Sequence, residues 1–446
     1  MPDATAGTSD TISLRRIAAL WWPLASSWLL MAVEGPAVSA VVARMADPEI
    51  HLAAYGSIVW PVVLIIEAPI LMLLAASTAL SKDWDSYVKV RRFMMRFSAA
   101  LTVLHVLVAF TPISRFVIGT LLGAPPETIE PAVLGLKIMT PFAWAVAYRR
   151  FHQGVLIRFG YSRSVGLGTF LRLLADGLVL AVGYSIGDVP GTAVAAAAIT
   201  TGVIVEAAFV GLRVRPALRQ RLRLAKPVEP PLTWRGFFDF YIPLAMTSLL
   251  ALLMTPIGSA GLSRMPNALE SLAAWPVVSG LVFMFRSLGM AYNEVVVALL
   301  DEPGARPNLR RFTGLLAGLV TGCTLLIAAT PLSDFWFRTL SGLSPSLADL
   351  AHRSLWFALP LPALNAAYSW YQGSIVHSRR TRGITEAVII YLVLTSGLLV
   401  AGVVWAQVTG IFVAWAAIGV GTLVQTAWLW YRSRPAMAEV RQPGAA

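Results

Sequence analysis

The sequence predicts an all-α polytopic membrane protein, with about 12 transmembrane helices in two six-helix lobes related by a parallel pseudo-two-fold repeat. Three observations predict it. Of the 446 residues 57% are hydrophobic and only 13% charged, with mean hydropathy +0.70, whereas soluble domains carry about 25% charged residues. The apolar residues form about twelve runs of some 20 residues, the length that crosses a hydrocarbon core. The second half of the chain also repeats the first at an offset near 220 residues. In lipid every backbone amide needs an internal partner, so the runs are read as helices. The alternating pattern of a β-barrel is absent.

In order, the spans lie at roughly 18–42, 52–80, 93–112, 131–156, 164–186, 190–212, 236–262, 272–300, 311–331, 351–376, 384–406 and 408–431. The loops that delimit them alternate in charge. The N-terminal tail has Arg15 and Arg16, and the loop after span 2 has Lys82, Lys89, Arg91 and Arg92. Arg158 and Arg163 follow span 4. Arg213, Arg215, Arg219, Arg221, Arg223, Lys226 and Arg235 follow span 6. Arg306, Arg310 and Arg311 follow span 8, Arg379, Arg380 and Arg382 follow span 10, and Arg432, Arg434 and Arg441 follow span 12. The opposite loops are short or acidic, with Asp47 and Glu49, Glu127 and Glu130, Asp188, Glu270, Asp334 and Asp349. The positive-inside rule then puts both termini in the cytoplasm, across a cell inner (plasma) membrane. It also accounts for the net charge of +12 without nucleic acid. Met1–Ile12 shows no cleavable signal, so span 1 is expected to act as its own. Cys323 is the single cysteine and lies in a span, so no disulfide is expected. The organisation read from this is a tail (1–17), an N-lobe (18–212), a basic linker (213–235) containing the stiff "PVEPP", a C-lobe (236–431) and a second tail (432–446).

The repeat is direct. Shifted by 220 residues, "PLASSWLLMAVEGPAVSAVVARM" from Pro23 falls on "PLAMTSLLALLMTPIGSAGLSRM" from Pro243. Pro23–Ala54 matches its counterpart at 13 of 32 positions without a gap, where shared apolar bias gives roughly one in ten. Pro36 meets Pro256 and Arg44 meets Arg264. A shift of 219 continues it, with Pro141 on Pro360, "QGVLI" on "QGSIV" and Gly202 on Gly421. Six spans per half bring both halves into the membrane in the same sense. Repeats of this kind are typical of secondary transporters, whose substrate site lies between the halves near mid-membrane.

The shape "P…P…R-M" of span 1, followed by "LAA", resembles the multidrug/oligosaccharidyl-lipid/polysaccharide flippase superfamily. The Gly-Asp-Arg-rich loop of the major facilitators is missing after span 2. Within that superfamily "WWPLA" (21–25), "LAAYG" (52–56), "PIGSAGLSR" (256–264), "GVLIRFGYSRSVG" (154–166) and "IGVGTL" (418–423) are similar to a bacterial-type progressive ankylosis protein. The long acidic tail of the animal members is absent. The resemblance implies efflux of small polyvalent anions such as pyrophosphate, ATP and citrate.

Ionisable residues inside spans are functional candidates, because burying them in lipid is costly. In "VWPVVLIIEAPILMLLAAS" (59–77), Glu67 lies near mid-span between Pro61 and Pro69, which suits a helix lining a wet cavity. A shift of 220 takes Ile66–Glu67 to Arg286–Ser287, so an acid and an arginine are expected across the cleft at one depth. Arg286 has the fork that grips carboxylate or phosphate. Glu67 reads as a gate or proton carrier, and a buried structural pair is the other reading of both. Glu34, beside Gly35 and Pro36, is a candidate for a coupling proton or sodium ion. Arg172 and Asp176, four apart in span 5, are expected to pair, with Arg172 also a candidate substrate ligand. Lys137 either snorkels or guides anions at the outer side. Asn293 and Glu294 follow Arg286 by two turns and complete the candidate set. Arg149, Arg150 and His152 are read as surface anchors near the end of span 4. Glu206 and Glu386 are read as solvated, and His105 as packed. Tyr148, Trp144, Tyr368 and Trp370 could line the cleft.

No phosphate-binding loop, zinc-ligand cluster or nucleophile elbow is present. No cofactor or metal is expected, and an enzyme is not. The expected partners are the lipid bilayer and a small anionic substrate, acting on a monomer. A lipid-linked precursor flippase, a proton- or sodium-coupled multidrug antiporter and an integral-membrane enzyme are the alternatives.

Overall fold

A bilayer offers a stray amide no partner, and every apolar run is helical in the computed structural model, which describes residues 12–302, 304–378 and 382–439. Arg379, Arg380, Arg441 and the tail through Thr11 fall outside the described residues. Span 1 is Leu14–Ala32 followed by Glu34–Val42. Span 2 runs from Pro48 to Leu80, and span 3 is Trp84–Phe110. Span 4 consists of Pro126–Ile138 and Phe142–Arg158, bent by 45° at Pro141. Spans 5 and 6 are Ser162–Ile186 and Gly191–Ala217. Spans 7, 8 and 9 are Trp234–Leu262, Ala268–Leu299 and Ala305–Ala329. Span 10 is again a pair, Pro345–Ala358 and Leu361–His377, divided at Pro360. Spans 11 and 12 are Arg382–Trp405 and Gly410–Glu439. Among the described residues ten of these are individually long and apolar enough to cross a membrane, and bent span 4 is an eleventh. Span 10 makes the twelfth by matching span 4. The chain is a multi-pass membrane protein.

The repeat offset changes inside span 2, and the backbone there supplies a reason. Ala53–Val59 forms a π-helix, while span 8 is α-helical throughout. A wider π turn absorbs one extra residue. Residues before it match the C-lobe at 220, and residues after it match at 219. Glu67 therefore corresponds to Arg286 itself, which corrects the constant shift by one residue. Pro69 distorts the helix further, through a 3₁₀ turn at Ala68–Ile70 before the α-helix resumes at Leu73. The two halves differ again at the paired prolines. Pro36 cannot donate to the carbonyl one turn earlier, and span 1 breaks at Val33. Pro256 sits inside an unbroken span 7, so the matched prolines do not both interrupt their helices.

Each lobe lends the N-terminal half of its first helix to the other. Ile17, Trp21 and Ala25 pack with Tyr292, Val295 and Phe312 of spans 8 and 9. Phe237 and Tyr241 of span 7 pack against the Phe93 ring of span 3, tilted and edge-on respectively. Two hydrogen bonds mark the symmetry of this exchange. Trp21 Nε1 donates to Leu288 O at 2.9 Å, and Tyr241 Oη donates to Pro69 O at 2.5 Å. The donors are 220 apart and the acceptors 219, as the π turn requires.

The outer side holds a second reciprocal contact. Arg44 donates to Ala40 O and, across the lobes, to Thr339 O at 2.5 Å and Leu340 O at 3.0 Å. Its counterpart Arg264 donates to Thr120 O, Leu121 O and Leu122 O at 2.8–2.9 Å. The acceptors are end-of-helix carbonyls of matching π turns, Phe116–Leu121 and Phe335–Leu340. Those groups lack intrahelical donors and attract cations. Gly123 and Gly342 follow at φ +70 and +73, and a Cβ on either would meet the guanidinium at 2.7–2.9 Å. Nearby, Ser57 Oγ donates to Leu272 O at 2.6 Å, and Gly56 accommodates the Pro276 ring.

The linker is fixed to the N-lobe. Asp83, in the turn between spans 2 and 3, caps span 3 through Ser86 N–H at 2.8 Å and accepts from Val228 N–H at 2.7 Å. Burial pushes its carboxyl up, but the hydrogen bonds from Ser86 and Val228 outweigh burial and hold it below the ordinary range.

Two outcomes follow. With Cys323 replaced by serine and spin labels at Glu127 and Ser346, the Arg44→Ala/Arg264→Ala protein should show a longer outer distance distribution. Charge-assisted hydrogen bonds of about 1.5–3 kcal/mol each make the expected population shift at least about 10-fold; an unchanged distribution would exclude a closing role. A carboxyl with a lowered pKa contributes stability above its unfolded value of about 3.9, lost as pH falls below it. At pH 7, Asp83→Ala should therefore cost about 1–2 kcal/mol and speed proteolysis within 223–233; below pH 3 the two proteins should converge.

Candidate functional site

Glu206 has no solvent exposure and lies sixteen residues along span 6 rather than near its end. Span 6 continues as a helix to Ala217 and a π turn to Leu222, so the carboxylate is well inside the bundle. The expectation that it is solvated is corrected. Arg149 Nη1 reaches Glu206 Oε2 at 2.5 Å. Gln153 Nε2, one turn further on the same face of span 4, donates to Oε1 at 2.8 Å. Thr169 Oγ1 donates to the same oxygen at 3.3 Å. Arg149 is thus a buried partner rather than a surface anchor, and His152 is buried too, 2.9 Å from Tyr148 O.

Arg172 links this carboxylate to span 1. Its Nε lies 3.2 Å from Glu34 Oε1 and 3.7 Å from Glu206 Oε2. Glu34 opens the helix that restarts after the Val33 break, where the amide ends favour an acid. The expected Arg172–Asp176 ion pair is not formed among the described residues; Arg172 meets Glu34 and Glu206 instead. Asp176 lies against Gly202, where a Cβ would collide with its carboxylate. Its charged neighbours are Glu34, Arg172 and Glu206. Neither Asp176 oxygen has a hydrogen-bond donor, and Glu67 Oε2 has none. Glu67 is 4% exposed, with Arg149 and Arg150 as its charged neighbours. The N-lobe core therefore gathers four acids and three arginines.

The C-lobe has the same architecture with the charge removed. Arg149 is matched by Tyr368, Arg172 by Tyr391, Asp176 by Thr395 and Glu206 by Gln425, all at 219, and Glu34 by Met254 at 220. At the Glu67 position stands Arg286. Its neighbours are Tyr391 and Tyr368 of its own lobe, and its Nε has no hydrogen-bond partner. Among the described residues, no ion pair joins it to Glu67. The expected cross-cleft pair is not formed in this state; each member sits among residues of its own lobe.

The remaining candidates lie elsewhere. Lys137 is exposed, with Nζ 5.7 Å from the centre of the Phe110 ring, as a snorkelling lysine would be. Asn293 donates to Ser369 O and Gln372 Oε1 at 3.2 Å and so joins spans 8 and 10. Glu294 is exposed. His105 is packed, 3.0 Å from Leu136 O. Glu386 holds Arg382, Arg432 and Trp428. Trp144 and Tyr148 line an N-lobe crevice of about 770 Å³ with Arg215, and Trp370 is buried.

No family model matches the chain, and no curated protein matches it in sequence. Solved structures do. A multidrug resistance MATE family transporter of the MOP superfamily, in an inward-facing conformation, superposes with TM-score 0.68 over 96% of this chain and 100% of its own, at 16% identity. The lipid II flippase MurJ, in an inward closed conformation, gives TM-score 0.71 over 94% and 90%, at 14% identity. A MOP superfamily transporter from Pyrococcus furiosus, described as having a binding pocket of reversed polarity, gives 0.63 over 96% and 97%, at 17%. This chain has the MATE and MurJ fold. At these identities the likeness concerns the fold.

Removing one partner from a buried ionic cluster leaves the other charge uncompensated, at about 3–5 kcal/mol. Glu206→Gln should therefore lower the thermal midpoint of the purified protein substantially, and Glu206→Gln with Arg149→Gln should recover part of the loss. A midpoint unmoved by Glu206→Gln would show that the network does not hold the N-lobe together.

Proposed function

We propose that the protein is a secondary-active transporter that exports small polyvalent anions by alternating access. The observation that carries this reading is Arg286, a guanidinium within the bundle that no acid compensates among the described residues. An uncompensated charge at such depth is costly unless a ligand neutralises it, and a guanidinium suits carboxylate or phosphate. Citrate, ATP and pyrophosphate are the candidate substrates, in line with the progressive ankylosis resemblance of the short motifs. Glu34 and Asp176 supply the energy coupling. They lie together in a core with more acids than arginines, where a bound proton or sodium ion relieves like-charge repulsion. The protein works as a monomer in the cell inner membrane with both termini cytoplasmic. Glu67, held near Arg149 and Arg150, gates through the N-lobe rather than by neutralising Arg286.

Radiolabelled citrate, ATP, pyrophosphate and an organic cation, each tested in proteoliposomes with and without pH and sodium gradients, discriminate among the readings. Anion uptake should respond to a gradient and fall at least about 10-fold in Arg286→Ala, the loss of one or two charged hydrogen bonds. Glu34→Gln should keep anion exchange but lose its gradient dependence. Transport of the organic cation alone, insensitive to Arg286→Ala, would replace this reading with multidrug antiport. Movement of a lipid-linked precursor alone would replace it with a flippase.

A further inference from the structure

We propose that the C-lobe alone holds the anion, in an oxyanion site made of the Arg286 guanidinium and the phenol hydroxyl groups of Tyr368 and Tyr391. This rests on the transport reading above and names the site and the chemical group it takes, one carboxylate or phosphoryl end of the substrate.

The argument begins with the repeat. Two lobes of common architecture place side chains at matched positions, and the residues at those positions differ in one direction. The N-lobe set is Arg149, Arg172, Asp176 and Glu206; the C-lobe set is Tyr368, Tyr391, Thr395 and Gln425. In the N-lobe, Arg149 and Arg172 are engaged by carboxylates, so those cations are already neutralised. In the C-lobe the acids are gone, and the single cation is at the position of Glu67.

Two phenols act on that cation. Arg286 Nε is without a partner. Tyr391 and Thr395 are one turn apart on span 11 and lie together against Gly421 of span 12; a Cβ there would meet the Thr395 hydroxyl and the Tyr391 ring. Tyr391 and Tyr368 both interact with Arg286. No hydrogen bond occupies either phenol among the described residues. Tyr368 and Tyr391 stand at the positions of Arg149 and Arg172 in the repeat, and two phenols acting electrostatically on a guanidinium from spans 10 and 11 fit an oxyanion, which only accepts. The acid-rich N-lobe core repels the same group. Arg286, Tyr368 and Tyr391 are each partly exposed, so a ligand can reach them.

The test uses the purified full chain in nanodiscs, with radiolabelled citrate and pyrophosphate as probes. The wild-type protein should bind at least one of them. Tyr391→Phe and Tyr368→Phe keep the ring and should each weaken binding about 5-fold or more, and Arg286→Gln should weaken it by 30-fold or more. Without any anion, Arg286→Gln should melt no lower than wild type, because it removes an uncompensated charge. The anion should raise the melting point of wild type and not of Arg286→Gln. If wild type binds a probe and all three variants bind it equally well, the site falls and the anion reading stands. If neither probe binds wild type, the site and the anion reading fall together.

Discussion

A carboxylate sealed from water has to be neutralised by protein, and Glu206 is the place where this chain meets that demand. Its two oxygens collect Arg149, Gln153, Thr169 and, more distantly, Arg172. Arg172 in turn reaches Glu34, so spans 1, 4, 5 and 6 are tied at one depth. Dispersion and close packing hold the apolar surfaces of such a bundle in lipid, where the hydrophobic effect does not drive helices together. A charged junction adds direction, since an ion pair in a low dielectric tolerates few geometries. The N-lobe core is rigid in this sense, and Glu206 has set partners, while Glu34, Glu67 and Asp176 each keep an oxygen without a hydrogen bond among the described residues.

The repeat makes the contrast between lobes interpretable. The same helix pairs cross in both halves, down to the breaks at Pro141 and Pro360 and the paired outer π turns. The chemistry at the matched positions has diverged from ionic to neutral and hydroxyl-bearing, with the charge at one position reversed from Glu67 to Arg286. Under the transport reading proposed above, a load held in one half and a coupling ion in the other would turn rocking of a two-fold frame into directed work. Arg44 and Arg264 join the halves outside. Trp21 and Tyr241 join them on the side of the termini. Every one of these contacts ends on a backbone carbonyl, several of them freed by a helix end or a broken turn, so sequence changes in the acceptor residues leave them intact.

How much of this was legible depends on the distance over which each interaction acts. The spans follow from hydropathy alone, because the bilayer imposes a length and a composition on any helix that crosses it. The repeat follows from identities such as Pro23 with Pro243 and Arg44 with Arg264. Even the change of offset was visible, although its π turn was not. Arg286 stood out because nothing nearby in the sequence excuses a mid-span arginine. The Glu206 cluster was missed because its charged members Glu34, Arg149, Arg172 and Glu206 are at least 23 residues apart, and because apolar-run boundaries ended span 6 too early. Glu206 and Arg149 then looked close to water. The Arg172–Asp176 spacing was legible as one helix face, but a face does not say which neighbour it meets.

The sequence by itself determined the class of solvent, the helical spans and the two-fold kinship of the halves, because these depend on composition and local pattern. Only the tertiary structure decided which charges are compensated. That choice depends on how helices distant in sequence rotate against each other. It separates Arg149 and Arg172, which have carboxylates, from Arg286, for which no acid partner appears among the described residues.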